Sequence, residues 1–164
     1  MTRSPAKAPL LRDLGAQPLV CDVYELDDLL VAVQSFRPDV IVHELTDLPD
    51  DAAKLREMAL GNSRIRTVGT RNLLAAATLA GVHRFLAQSI AWELPAGPGA
   101  DAVAELENSV LAIDGVVLRY GQFYGPGTYY ENEPPVGLRI HIDAAARRTV
   151  DALNDPTGVI TIVE

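Results

Sequence analysis

Short apolar runs that recur between helix-period segments narrow most what this chain can fold into. Val40-Ile41-Val42-His43, Arg84-Phe85-Leu86-Ala87-Gln88 and Gly115 to Tyr120 are four to six residues long and do not alternate apolar with polar. Runs of this kind are strands buried on both faces, and such strands belong to parallel sheets covered by helices. Pro18-Leu19-Val20-Cys21-Asp22 and Val159 to Val163 read as two further strands. Between them, Leu26 to Phe36 places apolar residues at 26, 29, 30, 33 and 36, a helical period closed by Pro38. A long helical region runs from after Pro49 to about Ala80, broken near Gly61-Asn62, with Gly81 as its stop. Asp101 to Leu111 and Ile142 to Leu153 complete the helices. Pro95 to Gly99, the Gly125-Pro126-Gly127 turn and residues 128–136 read as loops. At the start, Ser4-Pro5 opens a helix that Gly15 ends, with Pro9 awkwardly inside it. Strands alternating with helices predict one α/β domain over 1–164, with right-handed crossovers.

Charge and cysteine content exclude several classes. The net charge is −8 and no run of lysines and arginines occurs. Nucleic acid and anionic membrane surfaces are therefore not expected as partners. Cys21 is the only cysteine, and His43, His83 and His141 lack metal-ligand spacing. No stretch is apolar enough to span a membrane, and no apolar core follows the first basic residue. The expectation is a cytoplasmic protein without a metal.

Three stretches are more specific than periodicity. They are Val68-Gly69-Thr70-Arg71-Asn72-Leu73-Leu74-Ala75-Ala76-Ala77, Val117-Leu118-Arg119-Tyr120-Gly121-Gln122-Phe123-Tyr124-Gly125-Pro126-Gly127, and Ile140-His141-Ile142-Asp143-Ala144-Ala145. In this order and phase the chain resembles the extended short-chain dehydrogenase/reductase family, the NAD-dependent epimerase/dehydratase kind. Val40 to His43 and Arg84 to Ser89 resemble that family's fourth and fifth strands. The resemblance implies an NAD(P)-binding domain with a Rossmann-type, doubly wound, mostly parallel sheet, here incomplete.

The resemblance also implies what the sequence does not contain. The family's first strand leads into Gly-x-x-Gly-x-x-Gly, whose backbone and following helix hold the pyrophosphate. No such run occurs in these residues, and Met1 matches the end of the family's second strand. The expectation is a truncated domain. The family's catalytic tyrosine and the lysine four residues later align with Gly99 and Val103, and none of the five tyrosines has a lysine four residues on. Ser89 matches the catalytic serine to within one position, with Ile90 as the other equivalent; otherwise it is a helix cap or a core hydroxyl. Arg3 stands where an arginine pairs with the 2′-phosphate of NADP, or is a solvated basic residue beside a helix cap. Asp22 stands at the adenine edge, or caps the next helix. His43, Ser89, Tyr120 and Tyr124 complete the implied cofactor contacts at the carboxyl ends of the strands. His141 and Asp143 are expected as a strand-end histidine and a helix N-cap.

The expected function is thus an NAD(P)-dependent oxidoreductase or nucleotide-sugar epimerase-like protein, weakened or inactive, with NADP slightly favoured over NAD. The alternatives are a non-catalytic binding or oligomerisation module, or a fragment of a longer enzyme. Without the family's first two strands, the Pro18–Asp22 strand either pairs with Val40–His43, leaves an edge for another chain, or stays exposed. A homodimer through that edge is the expectation.

Overall fold

The computed structural model describes residues 1–49, 51–55 and 57–164. Four strands form one parallel sheet in the order β1 (Val40–His43), β2 (Arg84–Ile90), β3 (Val116–Tyr120), β6 (Gly158–Ile162). Every pairing in it is parallel, with Ile41 opposite Phe85, Ala87 opposite Val117 and Val117 opposite Val159. The α/β architecture expected from the alternation is what the chain adopts, in the Rossmann-like form that the resemblance implied.

The helices are α1 (Ala8–Asp13), α2 (Leu26–Phe36), α3 (Ala59–Arg64), α4 (Thr70–Ala80), α5 (Pro98–Leu111) and α6 (Ile142–Asp151). A π-helical turn over Ile65–Gly69 joins α3 to α4 without a break. Gly81 ends α4 in the left-handed region at φ 69°, and Val82 N–H returns to the Ala77 carbonyl 3.0 Å away. Pro9 falls in the first turn of α1, where a missing N–H costs nothing. The helix therefore starts at Ala8, after a 3₁₀ turn over Pro5–Lys7. The expected start of helix just after Pro49 includes Asp50 and Arg56, which lie outside the described residues.

The period-two pattern of β2 and β3 divides the core. Phe85, Ala87 and Val117 pack on α2, α4 and α5 through Leu29, Leu73, Ala76, Leu106 and Val110. Leu86, Val116, Leu118 and Tyr120 face the other way, onto Ala145 and Ala152 after α6 and onto Ile140 and Ile162. Arg84 fastens the loop before β6, donating to the carbonyls of Ala152 and Asp155.

Two expectations are corrected, for Pro18–Asp22 and for Asp143. Pro18–Asp22 forms no strand: it makes one isolated parallel bridge, Val20 with Thr2, through Thr2 N–H to Leu19 O at 2.9 Å and Cys21 N–H to Thr2 O at 3.0 Å. It does not pair with β1, and a groove of about 440 Å³ lined by Met1, Leu19 and Ile41 to Leu45 lies between them. Two short strands flank the expected loop, β4 (Gln122–Tyr124) and β5 (Arg139–His141), paired in parallel; three residues are too few to show periodicity, and His141 ends β5 as the strand-end histidine expected. The N-cap of α6 is His141, whose Nδ1 accepts the Asp143 N–H at 3.2 Å, so Asp143 lies in the first turn instead.

Candidate functional site

Parallel strands end on the same side of a sheet, and that side carries a cleft of about 880 Å³. Its floor is the ends of β2 and β3, with Gln88, Ser89, Ile90 and Tyr120 to Phe123. One wall is a helical face made by Ala59, Asn62, Ser63 and Arg66, spaced so that all four point one way. The other wall is the Gly127 to Glu131 loop, with Trp92 between them. Gly121 sets the floor's shape: a Cβ there would stand 2.6 Å from the Arg139 backbone nitrogen.

Two side-chain networks underlie the cleft. In the first, Ser89 donates to Glu107 at 2.5 Å while Arg119 grips the same carboxylate with Nε at 2.9 Å and Nη2 at 2.5 Å. Burial pushes the Glu107 carboxyl up, but the hydrogen bonds from Arg119 and Ser89 and the guanidinium charge outweigh it and hold the group below the carboxylate range. Ser89 is buried, and its hydroxyl is spent on this carboxylate.

In the second, the Tyr120 hydroxyl lies 3.1 Å from Glu44 Oε1 and 2.5 Å from Thr149 Oγ1. Tyr120 donates its one phenolic proton to Glu44, and the Thr149 proton is shared between the Tyr120 oxygen and the Ala145 carbonyl, 2.8 Å away. Protein packed around Glu44, although the side chain retains access to solvent, pushes its carboxyl up to about 7, opposed by the Tyr120 hydrogen bond. Burial, and then Glu44, raise Tyr120. The pair can hold a proton near neutrality at the mouth of β1 and β3.

Ser89 and Tyr120 line the cleft; Arg3, Asp22, His43 and Tyr124 do not. Arg3 reaches over to Asp47 at 2.6 Å, and this pair raises the guanidinium's affinity for its proton. Asp22 Oδ1 accepts the Tyr24 N–H at 3.0 Å, a local turn bond. His43 is 3 % exposed, with Nε2 3.0 Å from Thr70 Oγ1 and Nδ1 accepting the Leu45 N–H at 3.3 Å. With Nδ1 an acceptor, Nε2 carries the proton, and burial lowers the ring to about 4. Tyr124 donates to Glu164 at 2.7 Å on the surface. Sequence reasoning missed Glu44 and Arg66. The signal for Glu44 was a charged residue directly after a buried strand; Arg66 carried no local signal.

A dinucleotide needs a place for its diphosphate, ordinarily a helix N-terminus free of competing charge. Here α2 opens with Asp27 and Asp28, α5 with Asp101 and α6 with Asp143, so these three N-termini do not by themselves fit a diphosphate, whereas the helix that runs through α3, the π turn and α4 opens at Ala59 with no acidic residue in its first turn. Among the described residues no cluster of histidine, cysteine and carboxylates is arranged to hold a metal. No helix is long and apolar enough to cross a membrane.

No protein-family model matches the sequence. A 3-diazoavenalumate denitrifying reductase from Streptomyces sp is 37% identical over 159 residues, covering 80% of this chain and 52% of that protein. The chain thus spans about half the length of the curated relative it matches. Among solved structures, UDP-glucose 4-epimerase of Thermus thermophilus in complex with NAD superposes with a TM-score of 0.72 at 19% identity, over 91% of this chain and 64% of that one. RMD from Pseudomonas aeruginosa complexed with NADPH gives 0.70 at 16% identity, over 89% and 66%. These neighbours show the fold. Together with the reductase relative they match the resemblance to the extended short-chain dehydrogenase/reductase family.

Proposed function

We propose that this chain is a nicotinamide-nucleotide-linked oxidoreductase domain, with NADP favoured over NAD and with weak turnover as it stands. The observation that carries the class is the 37% identity to a reductase over 159 residues. The neighbours in complex with NAD and NADPH support a nicotinamide nucleotide of either kind. Weak turnover follows from the missing Tyr-x-x-x-Lys, and the carboxylates in the first turns of α2, α5 and α6 disfavour a diphosphate there. When bound, the nucleotide would supply hydride. The chain's own residues supply the cleft, a proton store at Glu44 and Tyr120, and Arg3, the cation to which the resemblance assigns the 2′-phosphate.

A thermal melt with NADPH and with NADH tests this reading. Nucleotide at a hundredfold over its dissociation constant stabilises by about 2.7 kcal/mol, a rise of roughly 5–10 °C for a domain of this size. The expected rise is larger with NADPH. Asp47→Asn, which releases Arg3 from its ion pair, should widen the gap between the two nucleotides. A cooperative melt that neither nucleotide moves would favour the second reading, a binding module. That reading has its own support: Ser89, Tyr120, Arg3, Asp22 and Tyr124 all already hold protein partners.

The chain is also proposed to dimerise through β1. Its outer edge faces the groove, and Val40 and Val42 are exposed. Unpaired edges of this kind recruit another chain. Light scattering should give twice the mass of 17.6 kDa, and Val42→Lys should return the monomer. A monodisperse monomer at high concentration would dispose of the idea.

A further inference from the structure

Arg66 is the one residue of the large cleft whose charge no described neighbour answers. It sits on the π turn between α3 and α4, a deviation that recurs at functional sites because it re-aims side chains. It lines the cleft beside Asn62. None of the ion pairs or side-chain hydrogen bonds of the described residues involves it. The other charge lining the cleft, Glu131, accepts the Gly127 N–H at 3.1 Å. The guanidinium is half-buried, and burial alone, with no charged neighbour contributing, lowers its hold on its proton. A cation placed this way costs stability unless something pairs with it. Such a cost is characteristic of a group kept for a ligand.

The rest of the lining says what the ligand is. Leu48, Ile90, Trp92 and Phe123 give the cleft an apolar body with an aromatic face. A single guanidinium balances one negative charge. A phosphate dianion would leave one charge unanswered in a chain whose net charge is −8. A carboxylate matches the planar fork of arginine with two parallel hydrogen bonds. We propose that the cleft binds a small aromatic carboxylate, the carboxylate on Arg66 and the ring among Trp92 and its apolar neighbours. Its status as substrate rests on the oxidoreductase reading above; its binding does not.

Trp92 is the only tryptophan, so its emission reports the cleft alone. The probe is 3-phenylpropanoate, with its methyl ester as the neutral isostere and phenyl phosphate as the dianion, titrated without nucleotide. Saturable binding of the carboxylate, with ester and phosphate at least about tenfold weaker, is expected. Arg66→Gln should lose at least about tenfold in affinity. The same variant should melt roughly 2–4 °C higher, because it removes an unpaired charge. Equal binding of the ester, equal binding by Arg66→Gln, or no binding of the carboxylate up to its solubility limit would overturn the proposal. Tighter phenyl phosphate would make this a phosphate site and overturn it as stated. A lower melting temperature for Arg66→Gln would reveal a structural role and count against it as well. Because no nucleotide is present, these outcomes are separate from failure of the melt with NADPH and NADH.

Discussion

Gly121→Ala should melt roughly 6–12 °C below the wild type, a loss of about 3 kcal/mol. The reason is not backbone conformation, since Gly121 is absent from the glycines with positive φ. It is space. A Cβ at this position would lie 2.6 Å from Arg139 N and 2.7 Å from both Arg139 Cα and Arg139 C. Those atoms belong to β5, which cannot rotate aside as a side chain would. The added methyl must push β5 off β4, straining Gln122 N–H to Leu138 O at 2.8 Å and Glu164 N–H to Arg139 O at 2.9 Å. Gly127→Ala is the control. It meets nothing within 4 Å but sits at φ +77°, so it should cost only the left-handed penalty of about 1–2 kcal/mol. Differential scanning calorimetry of both variants separates crowding from conformation. Equal losses would show that the β4–β5 junction yields more easily than its geometry indicates.

Arg119→Met should destabilise more than Glu107→Gln, although the two changes break the same pair. The side chain of Glu107 is 10% exposed and that of Arg119 is 42%. Removing the acid leaves a guanidinium that can turn to water, for a loss of about 2 kcal/mol after allowing for solvent screening. Removing the base strands a carboxylate in the interior with only Ser89 as donor, for about 3 kcal/mol or more. The pH dependence carries the sign. Glu107 is held below its ordinary value of 4.5 in the folded chain. Its contribution is therefore complete above that value and is lost as pH falls through the lower folded value. Urea unfolding of the wild type should weaken across this acid range, and Glu107→Gln should lose this part of the slope. If Arg119→Met proves the milder change, the carboxylate is better hydrated than its burial indicates.

Much of the fold was legible because burial writes itself into sequence locally. The run into Tyr120 was recognisable since a strand covered on both faces must be apolar throughout; Val40–His43 showed the same apolar run, although Val40 and Val42 are exposed at the sheet edge. The α6 region was found from its period, and Gly81 from its demand for a left-handed backbone. Pro18–Asp22 was not legible as the irregular segment it is. Its composition suits a strand, yet it makes one isolated bridge and a groove lies between it and β1. β4 and β5 escaped because each is three residues long and joined by pairing across 17 positions of sequence, as Gln122 with Arg139. The site was legible as a place rather than as a set of contacts. Ser89 and Tyr120 do line the cleft at the strand ends. That Ser89 serves Glu107, and that Arg66 stands unpaired, depend on distances that no spacing encodes.

The sheet keeps its two faces packed by separate sets of side chains, one against α2, α4 and α5 and the other against α6. Adjacent residues of one strand, such as Leu86 and Ala87, therefore answer to different neighbours. Changes on opposite faces should combine by simple addition, while changes within one face, such as Leu29 with Leu73, should depend on each other. Descendants of this chain could thus remodel the α6 side, which bears Tyr120, Thr149 and the edge of the cleft, while the other half is inherited unaltered. Such a partition lets the α6 rim of the cleft drift in evolution while the half that carries Arg66 stays as it is.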